Sequence, residues 1–231
     1  MKANKEYNLI QKKFLVDKDI TQAISSLLAS EYFNSPKFQE LYGDILFQKG
    51  DLHSALEIFI QVKNYYKAGY CCLLSDDINS AKIFFEQAEA SPAQNWELFL
   101  CQLFETEITT TPTYLQIRSF LERDFSAFLN YKLEKLIQKI IDVSEYLFEI
   151  NPEVNKILAK CFLNYKYFEY SKIFLERAFD FTTEDAELYY LSAKYFLSQN
   201  EITEAKNSLN KAIYLQNNYI PAIELLEMLR V

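Results

Sequence analysis

An all-α stack of antiparallel helix hairpins is the fold class that this 231-residue chain predicts, on three observations. A small residue is followed twelve positions later by a second small residue, then by apolar or small residues four and seven further on. Gly43, Ala55, Phe59 and Val62 fit this frame, as do Gly69, Ala81, Phe85 and Ala88, then Ala159, Ser171, Leu175 and Ala178, and Ala193, Ala205, Leu209 and Ala212. An apolar residue also stands three positions after each first small residue, at Leu46, Cys72, Phe162 and Phe196. Finally, only 3 Gly and 5 Pro interrupt the chain, and no Val/Thr-rich alternation is long enough to propose a sheet. The last two copies, at Ala159 and Ala193, repeat with a period of about 34 residues, at which helical hairpins stack because none buries its apolar face alone.

The elements follow in order. Residues 4–16 and 19–30 read as a first hairpin, with Leu9, Ile10 and Phe14 facing Ile20, Ala23, Ile24 and Leu27, and with Asp17 to Asp19 as the turn. It is a weaker copy of the frame, with Gln11 where the small residue belongs. Pro36 opens the next helix at a first-turn position, where no amide hydrogen bond is lost. That helix runs to Gln48; Gly50 takes a left-handed conformation and Asp51 caps the helix of Leu52, Ala55, Leu56 and Phe59. Small residues at Gly43 and Ala55 let the two helices approach to roughly 8–10 Å. Gly43→Leu should therefore cost about 1–3 kcal/mol as overpacking, whereas Gly43→Ala should matter little, because Ala159 and Ala193 hold that place elsewhere.

Ala81 follows Ala55 too closely for a full period, so the third unit is shortened, with a helix from Asn64 to Ser75 and a second from the Asp76-Asp77 break to Ala90, stopped by Ser91-Pro92. A helix over 95–107 carries Trp96, Leu100, Leu103 and Phe104 and ends at the run Thr109-Thr110-Thr111-Pro112. Between Thr113 and Asn151 there is no Gly or Pro, and apolar residues keep helical spacing. Either 113–149 is one long, bent helix of roughly 55 Å, or it splits near Asn130 and leaves an odd number of helices between 92 and 151. Asn151-Pro152 marks a restart. Helices over 153–165, 168–180, 184–198 and 201–215 then form two regular hairpins, with Asn200 and Glu201 in the place of Gly50 and Asp51, and a helix over 219–230 covers the last one. The expected organisation is hairpins over 1–107, an irregular linking region over 108–151, and hairpins with a closing helix over 152–231.

A net charge of -8, from 24 Lys and Arg against 32 Asp and Glu, argues against a nucleic-acid binder, whose footprint is a basic stripe. The charge is uneven: residues 75–110 hold Lys82 as the one cation against seven acids, and residues 1–18 hold five Lys against Glu6 and Asp17. Cys71, Cys72, Cys101 and Cys161 lack ligand spacing and fall among apolar residues, as buried free thiols of a reducing compartment do. The N-terminus shows no apolar run with a cleavage site, and no segment approaches 18 consecutive apolar residues, so a cytoplasmic protein without membrane insertion is expected. The single histidine, His53, falls on the solvent side of its helix outside any constellation of catalytic residues. No enzymatic activity, cofactor or metal is expected.

Tyr42-Gly43, Gly50-Asp51, Ala55 and Phe59 in one unit, and Tyr189, Ala193, Phe196, Ala205, Leu209 and Ala212 in another, resemble the tetratricopeptide repeat. That resemblance covers 36–91 and 152–231 well and implies a right-handed superhelical solenoid whose groove, lined by the first helix of each hairpin, holds peptides or partner helices. Carried over by register, the partner-binding candidates are Lys12, Asp44, Phe47, Lys63, Tyr66, Lys67 and Tyr70 in the first half and Lys160, Tyr190 and Lys194 in the second. Some members clamp the carboxylates of chaperone tails; Lys63 and Lys67 resemble the distal basic pair, while Asn8, Lys12 and Leu41 depart from the rest of that pattern. With 17 Tyr and 19 Phe, large rings are available both to the core and to a groove. The leading reading is an interaction scaffold or adaptor that binds a peptide or helix of another protein; the alternatives are a holding or secretion-type chaperone and a self-associating structural subunit.

Overall fold

The computed structural model describes residues 2–105 and 108–229. The predicted helix ends at Glu107 and at residue 230 lie outside the described residues. Among the described residues every regular element is a helix, and the chain divides into two compact units, 1–111 and 112–231. The first contains the hairpins α1 (Lys2–Leu15) with α2 (Ile20–Leu28), α3 (Pro36–Gln48) with α4 (Leu52–Gln61), and α5 (Tyr65–Leu74) with α6 (Ile78–Gln87), followed by α7 (Pro92–Gln102). The second contains α8 (Tyr114–Tyr131), α9 (Glu134–Asp142), α10 (Ser144–Ile150), the hairpins α11 (Val154–Asn164) with α12 (Phe168–Phe181) and α13 (Ala186–Ser198) with α14 (Ile202–Leu215), and the closing α15 (Ile220–Met228).

The stretch 113–149 is three helices, not one and not two. α8 stops where Lys132 turns left-handed at φ 55° and the Leu133 amide donates back to the Phe128 carbonyl at 2.9 Å. Val143, at φ -98° and ψ 7°, then bends the arm between α9 and α10. α9 buries Leu136, Ile137 and Ile140 and packs on α8, so α8 and the bent α9–α10 arm form a hairpin. Each unit therefore holds three hairpins and one further helix. The odd helix between 92 and 151 is α7, which packs on α6 and α5 at the end of the first unit.

One turn design recurs. Lys18, Gly50, Lys63, Asp76, Lys132, Lys166 and Asn200 all have φ between 55° and 82°, and each is followed by the residue that begins the next helix. In six of the seven the amide of that next residue donates to a carbonyl five residues back, as from Asp51 to Leu46 and from Tyr167 to Phe162. This closure satisfies an otherwise orphaned end carbonyl. Asp19, Asp51, Asn64 and Asp77 also accept from the amide three residues on, so the same residue ends one helix and caps the next. Lys63 uses this turn between hairpins, which shortens the connection from α4 to α5 and accounts for the close spacing of Ala55 and Ala81.

The small residues sit at the hairpin crossings, and glycine there is not interchangeable with alanine. A Cβ on Gly43 would lie 2.7 Å from Phe59 Cε1 and 3.1 Å from Ile58 Cγ2; one on Gly69 would lie 2.8 Å from the Phe85 ring and 3.2 Å from the Ala81 carbonyl oxygen. Phe59 and Phe85 are buried, so neither ring is a loose end that can swing aside. The expectation that Gly43→Ala matters little is therefore corrected. In the frame that pairs Gly43 with Phe59 and Gly69 with Phe85, Ala159 is paired with Leu175 and Ala193 with Leu209. A flat ring needs the missing methyl, and a leucine does not.

Candidate functional site

In the first unit, side chains of α1, α3 and α5 converge on one face. Lys67 of α5 reaches across to α3, with Nζ 2.7 Å from Asp44 Oδ1 and 2.8 Å from Glu40 Oε1, and Asn64 Nδ2 donates to the same Glu40 oxygen at 2.9 Å. Burial pulls the Lys67 ammonium down, but its bonds to Asp44 and Glu40 outweigh that and hold its pKa above the usual lysine value. Burial, joined by the neighbouring Glu40 charge, pushes the Asp44 carboxyl up by more than Lys67 draws it down. The ion pair therefore ties α3 to α5 with both of its members desolvated. Tyr7 of α1 lies under Lys37 Nζ at 4.0 Å and edge-on to Phe38 at 5.6 Å.

The predicted residues of this half are only partly together. Asp44 and Lys67 are bonded, and Phe47 packs on Tyr70 at 5.9 Å beside them. Lys12 is exposed on α1. Tyr66 turns toward α7, where its hydroxyl donates to the buried Glu97 Oε1 at 3.1 Å, and its ring meets Phe85. Tyr65 goes a third way and stacks on Phe84. Lys63 is a turn residue and, with Glu40, Asn64, Tyr65, Tyr66 and Ser91, lines a cleft of about 680 Å³. Lys63 and Lys67 thus do not act as one basic pair: Lys67 is already held by two carboxylates.

The second unit repeats the scheme on α8, α11 and α13. Lys156 Nζ lies 2.7 Å from Asp185 Oδ2 and 3.2 Å from Glu187 Oε2, and Lys160 lies 2.9 Å from Glu122 of α8 and 3.8 Å from Glu187. For both lysines burial works against the charge and the carboxylates more than compensate, so both pKa values are raised. Tyr190 packs edge-on against Tyr219 at 5.8 Å. Burial, helped by Glu187, pushes the Tyr219 hydroxyl up to about 12. Lys194 donates to Asn164 Oδ1 at 3.1 Å and stands 5.9 Å from the Tyr190 ring centre. The three predicted residues Lys160, Tyr190 and Lys194 do share one face.

Sequence reading overlooked Tyr7, Glu122 and Tyr219 as members of these faces. The signal was available for Tyr219, which stands one full repeat after the Asp185 that partners Lys156. Elsewhere the chemistry is quiet. Burial pushes the Cys71 and Cys101 thiols up to about 12 and those of Cys72 and Cys161 to about 11, which keeps all four protonated at neutral pH. His53 is exposed beside Glu57 at 3.6 Å. Among the described residues there is no group of three or more His, Cys, Asp or Glu side chains placed to hold a metal, and no helix is long and apolar enough to cross a membrane.

Residues 186–219, which span α13, its turn and α14, match the family model of the tetratricopeptide repeat. Two solved structures are similar over nearly the whole chain. One, described as YrrB, a TPR protein with an unusual peptide-binding site, is 15% identical, with 90% of this chain and 98% of that one covered and a TM-score of 0.37. The other, a tetratricopeptide repeat protein from Parabacteroides merdae, is 18% identical, with 98% and 100% covered and a TM-score of 0.41. No curated protein sequence matches the chain.

Proposed function

We propose that this chain, a tetratricopeptide-repeat protein by its 186–219 repeat and its hairpin architecture, is an interaction scaffold that seats a peptide or helix of another protein on its first-helix faces. The observation that carries the reading is the composition of those faces. Across α3 and α5, and again across α8, α11 and α13, lysines and carboxylates lock neighbouring first helices together while the rings of Phe47, Tyr190 and Tyr219 remain only half-buried. Fixed charges and preordered rings offer area at low entropic cost, which is what extended recognition needs. The same groups provide no nucleophile, activated base or metal site for chemistry.

The test is site-specific photo-crosslinking in native lysate, with the crosslinker placed in turn at Tyr70, Tyr190, Ile83 and Tyr214. The last two are exposed on second helices. Adducts to a partner from Tyr70 or Tyr190 and none from Ile83 or Tyr214 are expected. Adducts confined to Ile83 and Tyr214 would place the partner on the opposite faces and remove this reading.

A further inference from the structure

The ion-pair ladder of the second unit follows the repeat translation and fails at its last rung. Lys156 meets Asp185; one repeat later the same two places hold Tyr190 and Tyr219, and a ring pair replaces the ion pair. Lys160 meets Glu187; one repeat later Lys194 takes the place of the lysine and Pro221, which carries no charge, takes the place of the acid. The acids of α15 do not substitute, since Glu224 and Glu227 are exposed and neither pairs with Lys194. Among the described residues Lys194 has no carboxylate within ion-pair reach. Its acceptor is the neutral Asn164 Oδ1, and its flank is the Tyr190 ring.

Such a site is unbalanced in one direction. Lys156 and Lys160 on this face are neutralised by carboxylates of the neighbouring helices, whereas Lys194 keeps its charge half-buried against burial and against Lys160, both of which push its pKa down. An arriving carboxylate deepens the burial but offsets it with an opposite charge, counters Lys160 and forms a charge-assisted hydrogen bond; an arriving cation or neutral amide adds burial without that charge. Beside the ammonium, the Tyr190–Tyr219 pair gives an aromatic seat for an apolar neighbour of that carboxylate.

We infer that Lys194 receives an aspartate or glutamate side chain of a bound protein segment, whose adjoining apolar residue sits on Tyr190 and Tyr219. This rests on the scaffold reading and adds the chemistry of the partner to it.

The probe is a random dodecapeptide library, displayed with both ends internal so that no free C-terminal carboxylate is present, and selected on the immobilised full chain. Selected peptides are expected to share an acidic residue next to an apolar one. Affinity should fall about tenfold or more when the acid is changed to its amide or when the chain carries Lys194→Met. It should hold within about twofold for Lys206→Met, on a second helix, and the charge-keeping Lys194→Arg should lose far less than Lys194→Met. Thermal melts of each variant by circular dichroism show that the fold is kept. Peptides that bind the second unit without an acidic requirement, acidic peptides indifferent to Lys194→Met, or selection only when a free C-terminal carboxylate is supplied would each overturn the inference and leave the scaffold standing. Absence of any selected peptide on either unit would overturn both.

Discussion

Gly43→Ala gives the sharpest test of the packing, because the structure predicts that its sign depends on the residue opposite. The added Cβ lies 2.7 Å from Phe59 Cε1, against ordinary carbon contacts of roughly 3.5–4.0 Å, so the ring or the helix must give by about 1 Å. Phe59 is 1% exposed and walled in by α5, which leaves it no room. Overpacking of this kind costs about 1–3 kcal/mol, while the better helix propensity of alanine returns roughly 1 kcal/mol. The expected net loss is therefore about 1 kcal/mol. In a Phe59→Leu background the ring is gone and Ile58 Cγ2 at 3.1 Å, which needs to give by only a few tenths of an ångström, is the close neighbour left; there the same Gly43→Ala should be neutral or stabilise by up to about 1 kcal/mol. Urea unfolding of the four proteins, followed by far-UV circular dichroism, closes the cycle. Equal effects in both backgrounds, within about 0.5 kcal/mol, would refute the account of why glycine stands there.

Lys67→Met should raise the Asp44 pKa further, since burial already lifts it and Lys67 opposes that lift; an unchanged midpoint in an NMR titration of its carboxyl would contradict the ion-pair geometry. The four thiols should ignore a water-soluble disulfide reagent at pH 8 until denaturant is added, and rapid labelling of the native chain would show that they are not buried as described. Their raised folded-state values also carry a sign: the thiol form is favoured in the fold, so that stability is complete below the unfolded value of 9.0 and is lost as pH climbs toward about 12 for Cys71 and Cys101. Urea midpoints that stay level across that alkaline window in wild type would speak against it. Lys166→Gly, at φ 65°, should stabilise the second unit by about 0.5–1 kcal/mol by relieving a left-handed side chain; a loss in the melt would mean the lysine has a role the turn does not show.

Much of the architecture could be read from residue spacing, because the determinants repeat. The crossing residues, the Gly50-Asp51 and Asn200 turns and the restart at Asn151-Pro152 all carry recognised chemistry at a fixed offset. The stretch 113–149 could not be divided because its breaks fall at Lys132 and Val143, and neither lysine nor valine signals a chain reversal; the cooperative closure of the Leu133 amide on Phe128 holds Lys132 in place. The same blindness applied to Lys63, which register placed facing the groove and the fold uses as a turn residue. On the faces, spacing grouped Lys160, Tyr190 and Lys194 but could not say which lysines were already engaged. That depends on partners far away along the chain, as with Lys67 and Asp44 or Lys160 and Glu122.

The recurring reversal has a practical corollary for engineering. Where one residue both finishes a helix and starts the next, the joint has no slack, and an inserted residue at Gly50-Asp51 or Asp76-Asp77 would sever the amide-to-carbonyl closure and the cap together. Between α12 and α13, by contrast, Thr182 to Glu184 run without such a closure and are half-exposed or exposed. A tag, epitope or fluorophore-bearing loop belongs there. The tolerance of this protein to added length is thus decided joint by joint and can be mapped in advance.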